Sequence, residues 1–257
     1  MKKIVKKLFN NLLNFFGISK IKLIREDSHG NDIKVSYISK NKIFRKVTNT
    51  PYGQMLLDRE NRGFQWYANR INKGKSAFIK NFIKSQHYCS IDIKKFDGIK
   101  INYENSLILN YKYLNKFMFY YCKTWPQKKL VPCHGDMTFD NLIFKKNKIF
   151  IIDWEHFKRP GEQWGFDLAY LILSAASFPY YRYDFLPEKD QKILNKLWKK
   201  LNLLGLRGKI KTRPIDVFKK TFESKIHWQK IIRRSPKKLF PYLLSKRFIN
   251  HLHSIIN

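Results

Sequence analysis

Residues 131–157 read VPCHGDMTFDNLIFKKNKIFIIDWEHF, and this stretch decides the fold. A loop that contains Asp136 leads into two short apolar segments separated by a polar turn, a pattern that predicts two antiparallel strands. Such a hairpin brings Asn141 and Asp153 to the same end, with Asp136 close by on the incoming loop. Two carboxylates and one amide oxygen around a common point are hard oxygen ligands of the kind that suit Mg²⁺.

The pattern H-G-D-x-x-x-x-N, followed by an apolar strand and D-W-E, resembles the aminoglycoside phosphotransferase and choline/ethanolamine kinase family of the protein-kinase-like superfamily. The resemblance implies that Asp136 orients the acceptor hydroxyl and that Asn141 and Asp153 hold Mg²⁺ beside ATP. It further implies that His134 supports the loop, and that Asp167 in GFDLAYL opens a helix and steadies the loop. An ordinary hairpin with polar loop residues is the alternative, which the strand ending at Asp153 and the presence of Asp167 disfavour.

A segment of three predicted strands and a predicted helix over residues 54–71 precedes this core. The resemblance implies that Lys46 in the third strand holds the α/β-phosphates of ATP, although the strand pattern alone does not choose between Lys46 and Arg45. Glu60 lies on the apolar stripe of the helix, where an unpaired carboxylate would be costly. An ion pair with Lys46 removes that cost, and a solvent-facing Glu60 is the alternative. No G-x-G-x-x-G motif is present, so the nucleotide-loop contacts are not assigned.

These features predict an α+β, bilobal protein-kinase-like fold, with a small antiparallel-sheet N-lobe and a mainly helical C-lobe. The predicted parts are a basic amphipathic helix over residues 1–19, an N-lobe over 20–96 and a C-lobe over 97–257, with Gly98 at the turn between lobes. The C-lobe would hold the catalytic loop, the metal site and the acceptor pocket. Strands are predicted over residues 20–25, 33–39, 42–47, 76–85, 88–93, 142–144 and 149–152. Further helices are predicted over residues 103–123, 167–177, 187–204, 214–233 and 237–256.

The sequence after Asp153 departs from that of protein kinases. Asp153 is followed by Trp-Glu rather than Phe-Gly, and only 13 residues separate it from Asp167. Gly135 stands where an Arg would read a phosphorylated activation loop, and no A-P-E segment is present. A phospho-regulated protein kinase is therefore disfavoured.

The chain is strongly basic, with 52 Lys and Arg against 19 Asp and Glu and a net charge of +33. This charge indicates an anionic partner, and compositional bias toward Lys, Asn, Ile, Phe and Tyr explains it equally well. The basic helix could contact an anionic membrane through residues 1–16, or it could dock on the N-lobe. No zinc-finger, RNP or KH signature is present, so a nucleic-acid partner is disfavoured.

The three cysteines are isolated, without a C-x-x-C pair, and no apolar stretch is long enough to cross a membrane. A cytoplasmic location is therefore expected, with a peripheral contact at the inner membrane surface as an open alternative.

The function predicted from these features is an ATP- and Mg²⁺-dependent phosphotransferase acting on a hydroxyl of a small molecule such as choline, ethanolamine, an aminoglycoside or a sugar. A kinase of a surface glycan or of a lipopolysaccharide-core sugar is the first alternative. A non-catalytic basic module that binds a nucleotide, a nucleic acid or a membrane is the second. An acceptor pocket is expected near residues 155–164 and the helix after them. Six side chains could form a cage for a quaternary ammonium there, or could simply be core: Trp154, Glu155, Trp164, Tyr180, Tyr181 and Trp228.

Overall fold

The computed structural model divides the chain into two compact units, Met1–Phe96 and Asp97–Asn257. The helices predicted over residues 1–19 and 214–233 lie outside the described residues, as does the first part of the helix predicted over 237–256. The described residues are 22–26, 33–38, 40–72, 78–102, 105–146, 148–180, 185–204 and 246–256.

A five-stranded antiparallel sheet forms the centre of the first unit, in the order β1-β2-β3-β5-β4. In its register Lys46 lies opposite Ile91 and Arg45 opposite Asp92, so the two basic neighbours belong to opposite faces of the sheet. Each of the five strands predicted for this region is present, with shifted ends. The strands are β1 Lys22–Glu26, β2 Lys34–Ile38, β3 Ile43–Thr48, β4 Ile79–Lys84 and β5 Cys89–Lys94.

Helix α1, Pro51–Asn72, follows β3 and packs on the sheet. It begins earlier than its apolar pattern predicts, because Thr50 and Pro51 form a start signal. The Thr50 Oγ1 atom accepts a hydrogen bond from the Gly53 backbone N–H at 3.1 Å, and proline suits the first helical position. The apolar stripe of α1 is buried, and Glu60 is buried within it.

The second unit is mainly helical and contains two small antiparallel strand pairs, β6 with β9 and β7 with β8. Strand β9 was not predicted, because its sequence KRPGEQ has no apolar alternation and its partner precedes it by about 30 residues. Gly161 lets β9 approach β6, since a Cβ atom there would collide with the Val131 carbonyl oxygen. The elements are α2 Leu107–Thr124, β6 Leu130–Cys133, β7 Leu142–Lys145, β8 Lys148–Ile151, β9 Lys158–Gln163, α3 Phe166–Ser177, α4 Glu188–Leu204 and α5 Lys246–Ile256.

Gly98 lies at a bend, where the sequence predicts a turn, and it also allows a close backbone contact. Its neighbour Ile99 forms a two-way backbone bridge with Phe144 of β7, at 2.8 and 2.9 Å. A Cβ atom at position 98 would lie 2.6 Å from the Phe144 carbonyl oxygen. Glycine is therefore needed for close approach to the β7–β8 hairpin, which this segment extends by one short bridge.

The N-terminus of α2 is capped from a distant helix. Ser106 at the cap position makes no side-chain hydrogen bond to the helix. Instead the carboxylate of Asp190 in α4 accepts the backbone N–H groups of Leu107 and Ile108, each at 3.1 Å, and the Tyr180 hydroxyl at 2.7 Å. Asp190 is buried, and its carboxylate satisfies two helix donors that have no partner within the helix.

Replacing Asp190 with alanine is expected to lower the free energy of unfolding by about 3 kcal/mol, because two helix N–H groups, one of them buried, lose their acceptor. Chemical denaturation measures the change. Glu188→Ala is the matched control, since this carboxylate of the same helix is 78% exposed and its removal is expected to change the stability little. Equal stability of the two variants would contradict the cap.

The predicted fold class is confirmed: an antiparallel sheet occupies the first unit and helices dominate the second. None of the helices in the described part of the chain is long and apolar enough to span a bilayer.

Candidate active site

The motif residues Asp136, Asn141 and Asp153 lie together at one end of the β7–β8 hairpin. Asn141 ends a short 3₁₀ turn and is followed by β7, and its carbonyl oxygen accepts the Ile152 N–H at 3.0 Å. Its side-chain amide donates to the carbonyl oxygen of Asp136 at 2.8 Å. The hairpin thereby joins the loop, the asparagine and the end of the second strand, as the sequence predicts.

Asp153 adopts a left-handed backbone conformation, with φ 64° and ψ 59°. This region is uncommon for residues other than glycine, and a non-glycine residue there costs about 1 to 3 kcal/mol. The turn ends the strand and sends the chain into the 3₁₀ turn Trp154–His156. Strain of this kind is concentrated at functional sites, which makes Asp153 a candidate on backbone geometry as well as on motif.

His134 is fully buried beneath the loop and is held at both ring nitrogens. Its Nε2 atom lies 2.8 Å from the Ile152 carbonyl oxygen, and its Nδ1 atom accepts the Asp136 N–H at 3.3 Å. The proton therefore resides on Nε2, which donates to the carbonyl. In this tautomer the ring links the Asp136 backbone to the strand that precedes Asp153, and both ring nitrogens are engaged in support of the loop.

Asp167, at the start of α3, accepts hydrogen bonds from the backbone of the loop. Its carboxylate accepts the N–H groups of His134 at 2.9 Å and Gly135 at 3.1 Å. Burial raises the pKa of Asp167 above its ordinary value, and the two N–H donors act in the opposite direction. Gly135 is required at this bend, because its φ is +83° and a Cβ atom would lie 2.6 Å from the His156 carbonyl oxygen.

A stack of aromatic rings lies under the loop. Trp125 stacks on Tyr121 at 4.3 Å and on Trp154 at 6.4 Å, and His134 meets Trp154 edge-to-face at 4.7 Å between ring centroids. Trp154 and Trp164 are completely buried, and Glu155 is buried as well. The cage hypothesis is therefore wrong for these three side chains, which are part of the core.

The remaining members of the proposed cage do not restore it. Tyr180 gives its hydroxyl to Asp190 in the helix cap described above, and Tyr181 and Trp228 lie outside the described residues. Every residue of α3 is buried. The acceptor pocket expected near residues 155–164 and this helix stays a prediction.

Tyr170 is a site residue that sequence analysis missed. From the buried helix α3 its hydroxyl donates to the Asp136 Oδ1 atom at 3.2 Å. Burial raises the pKa of Tyr170 well above its ordinary value, and the Asp136 carboxylate adds to the shift, so the hydroxyl stays protonated and acts as a donor. The signal available in the sequence was its place three residues after Asp167, but an aromatic residue in an apolar helix is expected to be core.

In the first unit, Lys46 and Glu60 form the ion pair that the sequence predicts. The Lys46 Nζ atom lies 3.0 Å from Oε1 and 2.9 Å from Oε2 of Glu60. Glu60 is fully buried, and the side chain of Lys46 is 12% exposed. The expected pair is thus present, while its role toward a nucleotide remains a prediction.

Arg45 has a different partner, which separates it from Lys46. Its guanidinium forms two hydrogen bonds of 2.7 Å with Asp92, the residue opposite it on β5. A bidentate pair of this kind fixes the guanidinium on its own face of the sheet. The two basic neighbours therefore differ in their partners: Lys46 is paired with Glu60 of α1, and Arg45 is paired with Asp92 of β5.

The resemblance implies Mg²⁺ and ATP, and the side-chain atoms of each unit fit one of these two groups. In the second unit, the Asn141 Nδ2 atom donates to the loop backbone, so the Oδ1 atom of the same amide is the candidate cation ligand, together with the Asp153 carboxylate. Oxygen donors of this type suit Mg²⁺. In the first unit, a lysine held by a buried carboxylate suits the phosphates of ATP.

Comparison with known proteins gives similar structures only. No family model and no curated protein matches the sequence. An ADP-bound aminoglycoside phosphotransferase, APH(2'')-Ib, is 13% identical over 97% of each chain, with a TM-score of 0.42. Amicoumacin kinase hAmiN, in complex with AMP-PNP, Ca²⁺ and Ami, is 12% identical over 99% of this chain and 96% of that one, with a TM-score of 0.49. An ethanolamine kinase of Plasmodium vivax is 13% identical over 92% of this chain and 80% of that one, with a TM-score of 0.45.

An aminoglycoside phosphotransferase and an ethanolamine kinase are thus among the similar structures. Because the identities are 12 to 13% and the TM-scores are below 0.5, we base the functional proposal on the residues of this chain.

Proposed function

We propose that the chain is an ATP- and Mg²⁺-dependent phosphotransferase that acts on a hydroxyl group of a small molecule. One observation carries the proposal: Asp136, Asn141 and Asp153 lie at one end of a hairpin. The Asn141 side chain donates to the Asp136 carbonyl oxygen, and the Asn141 carbonyl oxygen accepts the N–H of Ile152, the residue before Asp153. The loop is held rigidly from below by His134 and from the side by Asp167. A positioned carboxylate next to two further oxygen donors is the arrangement that phosphoryl transfer to an alcohol needs.

Asp136 would accept a hydrogen bond from the acceptor hydroxyl and take its proton as the oxygen becomes a nucleophile. Tyr170 donates a hydrogen bond to Oδ1 of this carboxylate and would help to hold it in place. Asn141 and Asp153 would hold Mg²⁺, and Lys46, oriented by Glu60, would hold phosphates. When bound, the magnesium–ATP complex supplies the phosphoryl group and neutralises part of its charge.

Tyr170→Phe is expected to lower kcat about tenfold or more and to leave KM for ATP unchanged, because it removes a hydrogen bond to a charged group that touches only the acceptor. Steady-state kinetics at several ATP concentrations measures both constants. Tyr111→Phe, on the outer side of α2, is the matched control. An unchanged kcat in Tyr170→Phe, with the melting temperature also unchanged, would contradict a positioning role.

The proposal is tested with purified protein, Mg-ATP and a pooled panel of choline, ethanolamine, sugars and aminoglycosides. Mass spectrometry would detect an acceptor that has gained one phosphoryl group. A product made by the wild type and not by Asp153→Asn would support the proposal and name the acceptor class. Identical product yields from both proteins would contradict the assigned site.

A further inference from the structure

The outer surfaces of α2 and α4 carry lysines at helical spacing. On α2 the residues at successive steps of three and four are Leu109, Lys112, Lys116, Phe119 and Lys123, which places them on one side of the helix. On α4 the corresponding side carries Lys189, Lys192, Lys196, Lys199, Lys200 and Leu203. We call these two rows together the basic face.

The two rows are adjacent. The Lys196 Nζ atom lies 5.3 Å from the centre of the Tyr111 ring on α2. The Lys200 Nζ atom lies 4.5 Å from the centre of the Phe119 ring and donates to Asn115 Oδ1 at 2.7 Å. These contacts cross from α4 to α2, so the rows form one surface rather than two separate stripes.

Acidic side chains do not balance this charge. The structure describes both helices throughout, and their acidic residues are Glu188 and Asp190. Asp190 is buried in the cap of α2, and Glu188 is engaged by Lys192 at 2.6 Å. The remaining lysines of the basic face therefore present positive charge to solvent.

Apolar side chains protrude among the lysines. Leu203 is 80% exposed, Leu109 63% and Phe119 58%, and Ile108 beside them is 46% exposed. Isolated exposed apolar residues are ordinary. Here Leu109 and Phe119 on α2 and Leu203 on α4 fall within the rows of lysines, and this mixture of apolar and basic side chains marks an interaction surface. Removal of these side chains from water would favour contact with an apolar phase.

We infer that the basic face binds the surface of a membrane that contains anionic lipids. Lysines attract anionic headgroups, and aliphatic and aromatic side chains between them enter the boundary with the acyl chains. A groove of about 750 Å³ between α4 and α5, lined by Lys192, Lys196, Lys199 and Lys200, has room for headgroup phosphates. Neither α2 nor α4 contains an arginine, and three of the four protruding side chains are aliphatic, which favours lipid over nucleic acid.

The test is sedimentation of the full chain with vesicles of phosphatidylcholine alone or mixed in equal parts with phosphatidylglycerol. We expect the wild type to bind only the mixed vesicles, and more weakly as salt increases. The variant Lys123→Gln/Lys196→Gln/Lys199→Gln should bind about a hundredfold more weakly, at about fivefold per lysine. The variant Leu109→Ser/Leu203→Ser should bind at least about tenfold more weakly.

Matched controls remove the same number of lysines or of exposed aliphatic side chains elsewhere. Lys34→Gln/Lys40→Gln/Lys80→Gln in the first unit and Ile83→Ser/Leu130→Ser should bind vesicles like the wild type. All exchanged side chains are exposed, and unchanged melting temperatures would show that the variants are folded. The inference requires no catalytic activity, so its failure and that of the proposed phosphotransferase are separable.

Three results would overturn the inference. The first is a wild type that does not bind anionic vesicles, and the second is an equal loss in the face variants and their controls. The third is unchanged vesicle binding by the face variants. If deletion of residues 1–16 then abolishes vesicle binding, the membrane contact belongs to the N-terminal residues. If the face variants instead bind a single-stranded oligonucleotide more weakly than the wild type does, the basic face binds nucleic acid.

Discussion

Asp136→Asn is expected to lower phosphoryl transfer by about three orders of magnitude, because the amide cannot take the proton of the acceptor hydroxyl. ATP binding should stay within about twofold of the wild type, since Asp136 belongs to the acceptor side of the proposed site. Asparagine has nearly the same shape, so the Tyr170 hydroxyl keeps an oxygen acceptor and the loop keeps its backbone bonds. Kinetics and calorimetric titration with ATP separate the two effects.

Asp140→Asn is the matched control for this prediction. Asp140 lies in the same loop, one residue before Asn141, and is exposed. The same chemical change there should leave turnover close to that of the wild type. Retention of full turnover in Asp136→Asn would contradict the role assigned to Asp136, even if other parts of the site were intact.

Breaking the Lys46–Glu60 ion pair is expected to have a large effect on both stability and turnover. Glu60 is fully buried, so Lys46→Met leaves an uncompensated charge in the interior and should lower the free energy of unfolding by about 3 to 5 kcal/mol. The double variant Lys46→Met/Glu60→Leu removes both charges and should regain most of that stability. It should still lack turnover, because no lysine remains to hold the phosphates. Denaturation and transfer assays report the two quantities independently.

The neighbouring pair provides the control. Arg45→Met breaks the bidentate pair with Asp92. Because the Asp92 side chain is only 7% exposed, this variant should lose stability as well, and the comparison with Lys46→Met rests on turnover. Turnover should remain, because Arg45 lies on the opposite face of the sheet. Recovery of turnover in the double variant would contradict the phosphate-holding role of Lys46, and equal loss of turnover in Arg45→Met would contradict the choice of Lys46.

Local patterns were sufficient to predict seven of the nine strands in the described part of the chain, and two of the contacts that define the candidate site. The hairpin that joins Asn141 to the strand before Asp153 follows from two apolar segments and a polar turn. The Lys46–Glu60 pair follows from a carboxylate placed on an apolar helical stripe, where it needs a partner. In both cases the physical requirement is expressed within a short segment of sequence or in a strong cost of burial.

Features that depend on distant segments were not predictable in this way. Asp190 caps a helix that begins 83 residues earlier in the chain, and a carboxylate near the start of α4 does not indicate which helix it will cap. Strand β9 pairs with β6 through a polar sequence that has no strand pattern. Tyr170 is a core residue of an apolar helix, and nothing in the local sequence indicates that its hydroxyl group contacts Asp136. The aromatic cage was wrong for Trp154 and Trp164 because composition does not distinguish a core tryptophan from a pocket tryptophan.

The most direct test of the proposed phosphotransferase uses ATP that is labelled in its γ-phosphoryl group and a deproteinised small-molecule extract, so that no acceptor has to be chosen beforehand. Wild type and Asp136→Asn would be incubated side by side with Mg²⁺, and transfer of label into other molecules would be measured. We predict a labelled product that the wild type forms and the variant does not. Label that remains in ATP with the wild type, or a product formed equally by both proteins, would contradict phosphoryl transfer at this site.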